Sequence, residues 1–316
     1  SSQMISSDAS LNQPSDPNRP GYKLLSWCMD AELTQEATFP LADLSSYAGG
    51  TLELYGKFAQ TNGTLPTISP DGTESHNASW SFDELTGTLH ITCSEGETIA
   101  NLGWTNVKDG LGVYYTKEHW APLRANVKRV VMDPSVDAES MAFWFAEMTS
   151  LTDATGIFVP NNGRTLYLDS MFEGSAISSL PDGFVIPGSV QSTGKMFFNC
   201  AYLKTLPEFF TLPESVVYAV GMFSQIGYSN KTFTNTGLRS LPAGFTLPDG
   251  LTDVSDMFYG CSFETLPVGL TIPSNATNAH AMFFNCGNLK ELPSGFRLGE
   301  KLTRISNMIQ GCVSMT

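Results

Sequence analysis

Apolar positions along the C-terminal half of the chain recur in one phrase: Met-Phe, a few residues, Leu-Pro, a Phe or Leu, and Pro again. It reads Met171-Phe172 to Leu180-Pro181, Met196-Phe197 to Leu206-Pro207, Met222-Phe223 to Leu241-Pro242, Met257-Phe258 to Leu266-Pro267 and Met282-Phe283 to Leu292-Pro293, and Met308-Ile309 opens a sixth. Successive methionines lie 25, 26, 35, 25 and 26 residues apart. Further apolar residues sit three and six places before the Met (Val254 and Leu251, Ile305 and Leu302) and six or seven after it (Ile177, Leu203, Phe263, Leu289). A fixed period of this length predicts one supersecondary unit per repeat, stacked on its neighbours around a shared core, which is a solenoid. Trp144-Phe145 reads as a divergent first member, with Met148 in the position that later repeats give to cysteine. Seven anchors at about 4.8 Å predict a stack roughly 30 Å long. From each Leu-Pro proline to the next Met is always 15 residues, so all variation in length falls in the other segment. The outlier runs from Gln225 to Thr236, and insertions in such arrays map to one face, often the binding face.

The N-terminal half carries a different pattern. Alternation over Tyr22–Trp27 and Leu52–Phe58 predicts two half-buried strands within residues 1–58. Residues 59–78 are rich in Thr, Gly, Asn, Pro and Ser and read as a linker. From 79 to 140 the chain reads as β-rich: Trp80-Ser81-Phe82, Gly87 to Thr92 and Val127 to Met132 look like strands, with a short helix over Glu118–Asn126. An open apolar end of the stack needs covering, and this segment is placed to cap the repeats of 141–316.

Composition narrows the function. Charged residues make up 15% of the chain and the net charge is −14, which argues against nucleic acid and against anionic membrane surfaces. No apolar run is long enough for a transmembrane helix, so no membrane insertion is expected in these residues. The start at Ser1-Ser2-Gln3 has no basic-then-apolar leader; either one has been removed or the sequence begins inside a longer protein. Four of six cysteines (Cys200, Cys261, Cys286 and Cys312) fall four residues after the repeat Met, a position that Ser175 and Ile226 fill elsewhere. They read as stacked buried thiols; a bridge such as Cys261–Cys286 is geometrically conceivable. Without Cys-x-x-Cys or a histidine at ligand spacing, no metal site is expected.

No catalytic constellation emerges. His76, His90, His119 and His280 are scattered, and no nucleophile elbow, phosphate loop or calcium loop is present. Asp137 and Glu139 could serve as an acid–base pair, but acidic solvation of a surface explains them better. No enzyme activity and no cofactor are therefore expected. Binding residues are easier to nominate. Two variable residues lie between the leucines of each repeat, and stacking would set Lys204, Arg239, Glu264 and Lys290 side by side. In the insertion, Tyr228, Lys231 and Phe233 are not needed by the repeat core, and aromatics dominate binding hot spots. An ordinary solvated face, and packing of the loop on itself, are the competing explanations.

Two resemblances sharpen the picture. Residues 1–58, with Pro20-Gly21-Tyr22 and Leu54-Tyr55-Gly56-Lys57-Phe58, resemble a partial β-grasp Listeria–Bacteroides repeat, Ser26 standing for its Gly and Phe58 for its closing Trp. That family's first strand would precede Gln3, so the resemblance implies a sequence that starts partway through the module. Met196-Phe197-Phe198-Asn199-Cys200-Ala201-Tyr202-Leu203-Lys204-Thr205-Leu206 resembles the BspA-like leucine-rich repeats of bacterial surface proteins, in the form of about 25 residues also found in mycoplasma lipoproteins, and the likeness covers 79–316. Here Pro181-Asp182-Gly183-Phe184 replaces that family's usual Asp-x-Ser-x-Phe. Further repeats or a cap are expected beyond Thr316. The resemblance implies a mainly β protein with short helical turns: a leucine-rich-repeat solenoid with a β-rich cap and a partial β-grasp module. It further implies an extracellular protein of the bacterial cell surface, binding a protein or glycan of a host or neighbouring cell. The alternative is a glycan-binding or spacer module of a larger surface enzyme whose catalytic domain lies elsewhere.

Overall fold

Strand formation begins at Tyr22 in a computed structural model that describes residues 10–41, 44, 47, 51–102, 119–226 and 237–316. The chain divides into two compact units, Ser1–Asn62 and Gly63–Thr316. In the first, β1 (Tyr22–Cys28) pairs antiparallel with β2 (Tyr55–Gln60), Tyr22 opposite Gln60 and Cys28 opposite Tyr55, with a bulge between Leu24 and Ser26. The Arg19 guanidinium lies 3.9 Å from the Tyr22 ring centroid and 5.7 Å from that of Phe58, so a cation covers one aromatic face of the pair.

The second unit holds β3 (Asn62–Ile68), β4 (Glu74–Asp83), β5 (Thr88–Cys93), β6 (Thr98–Ile99), β7 (Arg129–Met132) and β8 (Asp153–Gly156), in the order β6-β3-β4-β5-β7-β8. β4 and β5 are antiparallel; β5, β7 and β8 run parallel. Ala78, Trp80 and Phe82 of β4, Leu89 and Ile91 of β5 and Val130 and Met132 of β7 turn to the core, every second residue as the pleat requires. Where composition reads as a linker, residues 59–78 carry β3 and the start of β4. Leu65 and Thr67 are buried there while the small polar residues take the wet face. The 3-10 segment Ala121–Asn126 delivers Trp120 to a column of aromatics. Trp80, Trp120 and Trp144 meet edge to face at 6.1 and 5.7 Å, and the Trp120 indole N–H donates to the Trp144 carbonyl at 2.8 Å.

The column continues through the repeats. Phe172, Phe197, Phe223, Phe258 and Phe283 stack at 5.4–5.7 Å with ring planes within 9° of parallel. Every repeat Met from Met171 to Met282 is fully buried beside them. Backbone rungs join the repeats. Around Met196, the N–H groups of Thr193, Lys195, Phe197 and Asn199 donate to the carbonyls of Tyr218, Val220, Met222 and Ser224 at 2.8–2.9 Å. The geometry needs a left-handed backbone one residue before the Met and three after it: φ is +54° at Lys195 and +56° at Asn199, +55° at Asp256 and +69° at Gly260, +51° at Ala281 and +56° at Asn285. The cysteines close the inner side. Cys200, Cys261, Cys286 and Cys312 donate to the carbonyls of Phe172, Phe223, Phe258 and Phe283, one repeat back, at 3.0–3.3 Å. All six cysteines are free thiols.

The chain is mainly β with almost no helix, its sheets curled into a half-barrel, which corrects the expected leucine-rich-repeat solenoid and keeps only its mainly β part. The physical reason lies within each repeat. Left-handed residues on both sides of the Met, and prolines that each open a turn (Phe184 N–H to Pro181 carbonyl, Phe210 to Pro207, Phe245 to Pro242), confine strand pairing to one residue. Past Gly156 the described residues make only single parallel bridges, and every extended strand but β8 lies in the region expected to be module, linker and cap.

Candidate functional site

The single bridges form a line across the repeats: Ser140, Tyr167, Ser192, Tyr218, Asp253, Asn278 and Arg304, each pairing with the next. All but Ser140 stand four residues before a repeat Met. Residues three before the Met (Leu168, Thr193, Ala219, Val254 and Ala279) are buried, so their neighbours in the line face outward, as alternation demands. Tyr167 and Tyr218 are 41% and 45% exposed. Two before the Met, Asp169, Val220 and His280 are half-buried beside this line, while Gly194 and Ser255 are buried.

Hydrogen bonds fix the carboxylates of this strip. The Ser192 hydroxyl donates to Asp169 Oδ1 at 2.5 Å. Asp253 receives the Ser255 N–H at 2.8 Å and the Asn278 amide at 2.9 Å, and Asn278 Oδ1 in turn accepts the His280 N–H at 3.0 Å. His280 Nδ1 and the Ser306 hydroxyl are 2.8 Å apart. Burial pushes the Asp169 carboxyl above the usual carboxylate range, against the Ser192 hydrogen bond that favours its ionised form. Burial also raises Glu173, with Ser170 and Lys195 opposing, and Asp256, with His280 opposing and Asp253 adding to the rise. The Tyr218 phenol is raised first by burial and then by the charges of Asp169 and Asp253. An added Cβ at Gly194 would lie 2.5 Å from Tyr218 Cε1 and 2.9 Å from Asp169 Oδ1, so the ring rests against bare backbone there.

The nominated binding residues fare unevenly. Tyr228, Lys231 and Phe233 lie outside the described residues. Lys204 and Arg239 are neighbours: the Arg239 N–H donates to the Lys204 carbonyl at 2.8 Å, and burial, then the Arg239 charge, lowers the Lys204 ammonium. Glu264 and Lys290 form an ion pair at 2.9 Å, both side chains well exposed, a contact worth at most about 1 kcal/mol. These four residues thus pair within a row of their own. One position further along, Ser179 lines a shallow groove of about 270 Å³ with Thr152, Asp153, Thr155 and Pro181. The acid–base candidates Asp137 and Glu139 accept from the Thr98 hydroxyl and the Asn101 N–H respectively. The strip of Tyr167, Asp169, Ser192, Tyr218, Asp253 and Asn278 was not nominated from sequence. Its signal was present, since the position four before the Met is never aliphatic in the six Met-anchored repeats.

Among the described residues, no group of three His, Cys, Asp or Glu is placed to hold a metal ion, and no helix is long and apolar enough to cross a membrane. Comparison with protein-family models, with curated proteins and with solved structures finds no match to this chain.

Proposed function

We propose that this is a non-enzymatic recognition protein of a bacterial cell surface, one that attaches to extracellular protein or glycan on a host or neighbouring cell. The observation that carries the reading is the outward line of tyrosine, carboxylate, amide and hydroxyl groups held in register by backbone bridges from Tyr167 to Arg304. A rigid row of unlike side chains at fixed spacing suits an extended ligand. Its order is set before contact, so little side-chain entropy is lost on binding. The excess of acidic residues keeps such a surface soluble and turns away nucleic acid.

The test is binding of the fluorescently labelled chain to epithelial cells, immobilised mucin and extracellular-matrix proteins. Saturable binding that unlabelled protein competes away is the expected result. Absence of saturable binding to every one of these surfaces at micromolar concentration overturns the reading and leaves the chain as a spacer.

A further inference from the structure

We propose that the strip is a subsite for an uncharged linear glycan, sugar rings lying on Tyr167 and Tyr218 while their hydroxyls donate to Asp169 and Asp253. The inference rests on the recognition reading above and narrows it to one ligand chemistry.

A pyranose ring offers two kinds of surface: a face of C–H groups and a rim of hydroxyls. The C–H face is drawn to the negative face of an aromatic ring. The rim needs acceptors nearby, since a hydroxyl that loses water without a partner costs binding. The strip supplies both. Tyr167 and Tyr218 are exposed, and their backbones stand two rungs apart with the small Ser192 between them, about 10 Å at ~4.8 Å per rung. Tyr218 leans back along the surface onto Gly194, the one residue type that leaves room for it. The ring therefore lies along the strip.

The acceptors flank that ring. Asp169 and Asp253 lie on either side of Tyr218, close enough for both charges to raise its phenol. Asp253 is held by Ser255 and Asn278, and Asp169 by Ser192. A carboxylate has about four lone-pair positions, so these contacts orient each group and leave acceptor capacity for a ligand. Anionic sugars meet like charge here and are disfavoured. A protein partner fits less well. Protein interfaces cover about 800 Å² per partner around a core depleted of charge, whereas these rings are separated by hydroxyl and carboxylate groups.

The experiment probes an array of neutral and sialylated oligosaccharides with the full chain, then titrates the binders against wild type, Tyr167→Ala, Tyr218→Ala and Gly194→Ala. Thermal unfolding of each variant confirms its fold. Neutral linear oligosaccharides should bind, longer ones more tightly, and Tyr218→Ala should weaken them about tenfold or more. Gly194→Ala keeps the phenol and moves the ring, and should weaken the same ligands. Three results overturn the proposal: no neutral glycan binds, only sialylated glycans bind, or neutral glycans bind all four proteins equally. If cells stripped of glycans still capture the protein, the glycan assignment fails while the recognition reading stands. If untreated cells, mucin and matrix also capture nothing, both fail.

Discussion

Left-handed backbone at two positions per repeat is the detail on which the stack turns, and only one of the two is visible in residue types. Three residues after the Met stand Gly174, Asn199, Gly260, Asn285 and Gly311, the residues that accept positive φ most readily, and Gln225 after Met222 is the one that does not adopt it. One residue before it stand Ser170, Lys195, Gly221, Asp256, Ala281 and Asn307, which share no chemistry. Substituting Asn199 tests the requirement. Asn199→Val should destabilise the protein by about 1–2 kcal/mol or more in urea denaturation, while Asn199→Gly stays near wild type. Equal stability of the two variants would contradict the geometry. The thiols make a second residue-scale case. Burial pushes Cys200 up to about 12 and raises Cys261 and Cys286 well beyond ordinary thiols, whereas Cys312 is raised but half-buried. Because the thiolate is the reactive form, a thiol reagent at pH 8 should label Cys312 first. The other three should react only as urea unfolds the chain; peptide mapping showing Cys261 labelled at the same rate in native protein would refute this.

At the scale of the element, the repeat and its period were legible because burial of Met, Phe, Leu and Cys recurs at fixed places, and packing tolerates little else there. The form of the repeat was not. Each Leu-Pro proline opens a turn closed three residues on, and the repeat pairs through one residue only. Residues 59–78 misled in the opposite sense: a strand with small polar residues on its wet face has the composition of a linker. The strip escaped notice because a binding face is where residue types are free to vary; periodicity points inward, to the core. One consequence of that face can be measured by pH. The folded pKa of Asp169 is raised, so its contribution to stability is full below the unfolded value of 3.8 and is lost as pH rises through the folded pKa. Asp169→Asn keeps an acceptor for Ser192 and removes the half-buried charge. The variant should melt higher than wild type at pH 7, and the gap should close as pH falls through the folded pKa. A variant that melts lower at pH 7 would mean that the hydrogen bonds to the carboxylate outweigh its burial.

Over the whole molecule, cohesion is unevenly distributed. Residues 1–62 hold a two-stranded sheet whose residues, apart from Cys28 and Ala59, stay partly solvated, and such a pair is marginal alone. Residues 63–316 carry an aromatic column unbroken from Trp80 to Phe283, with every repeat tied to the next by rungs. The last repeat is the exception. Ile305, Ile309 and Val313 are exposed, and the rungs there have neighbours on one side only among the described residues. Native-state hydrogen exchange should therefore resolve three levels of protection. Amides of β1 and β2 should exchange through their own opening, and those around Met308 by fraying. The amides of Phe172, Phe197, Phe223 and Phe258, each bonded to the next repeat's Met carbonyl, should exchange last and together. The same opening would carry Tyr218 and Asp253 apart, since their bridge lies in the same layers. A ligand on the strip should accordingly slow exchange at Phe197, Phe223 and Phe258 while leaving β1 and β2 unchanged. Protection rising first in β1 and β2 would place the binding surface in residues 1–62 and displace the strip as the site.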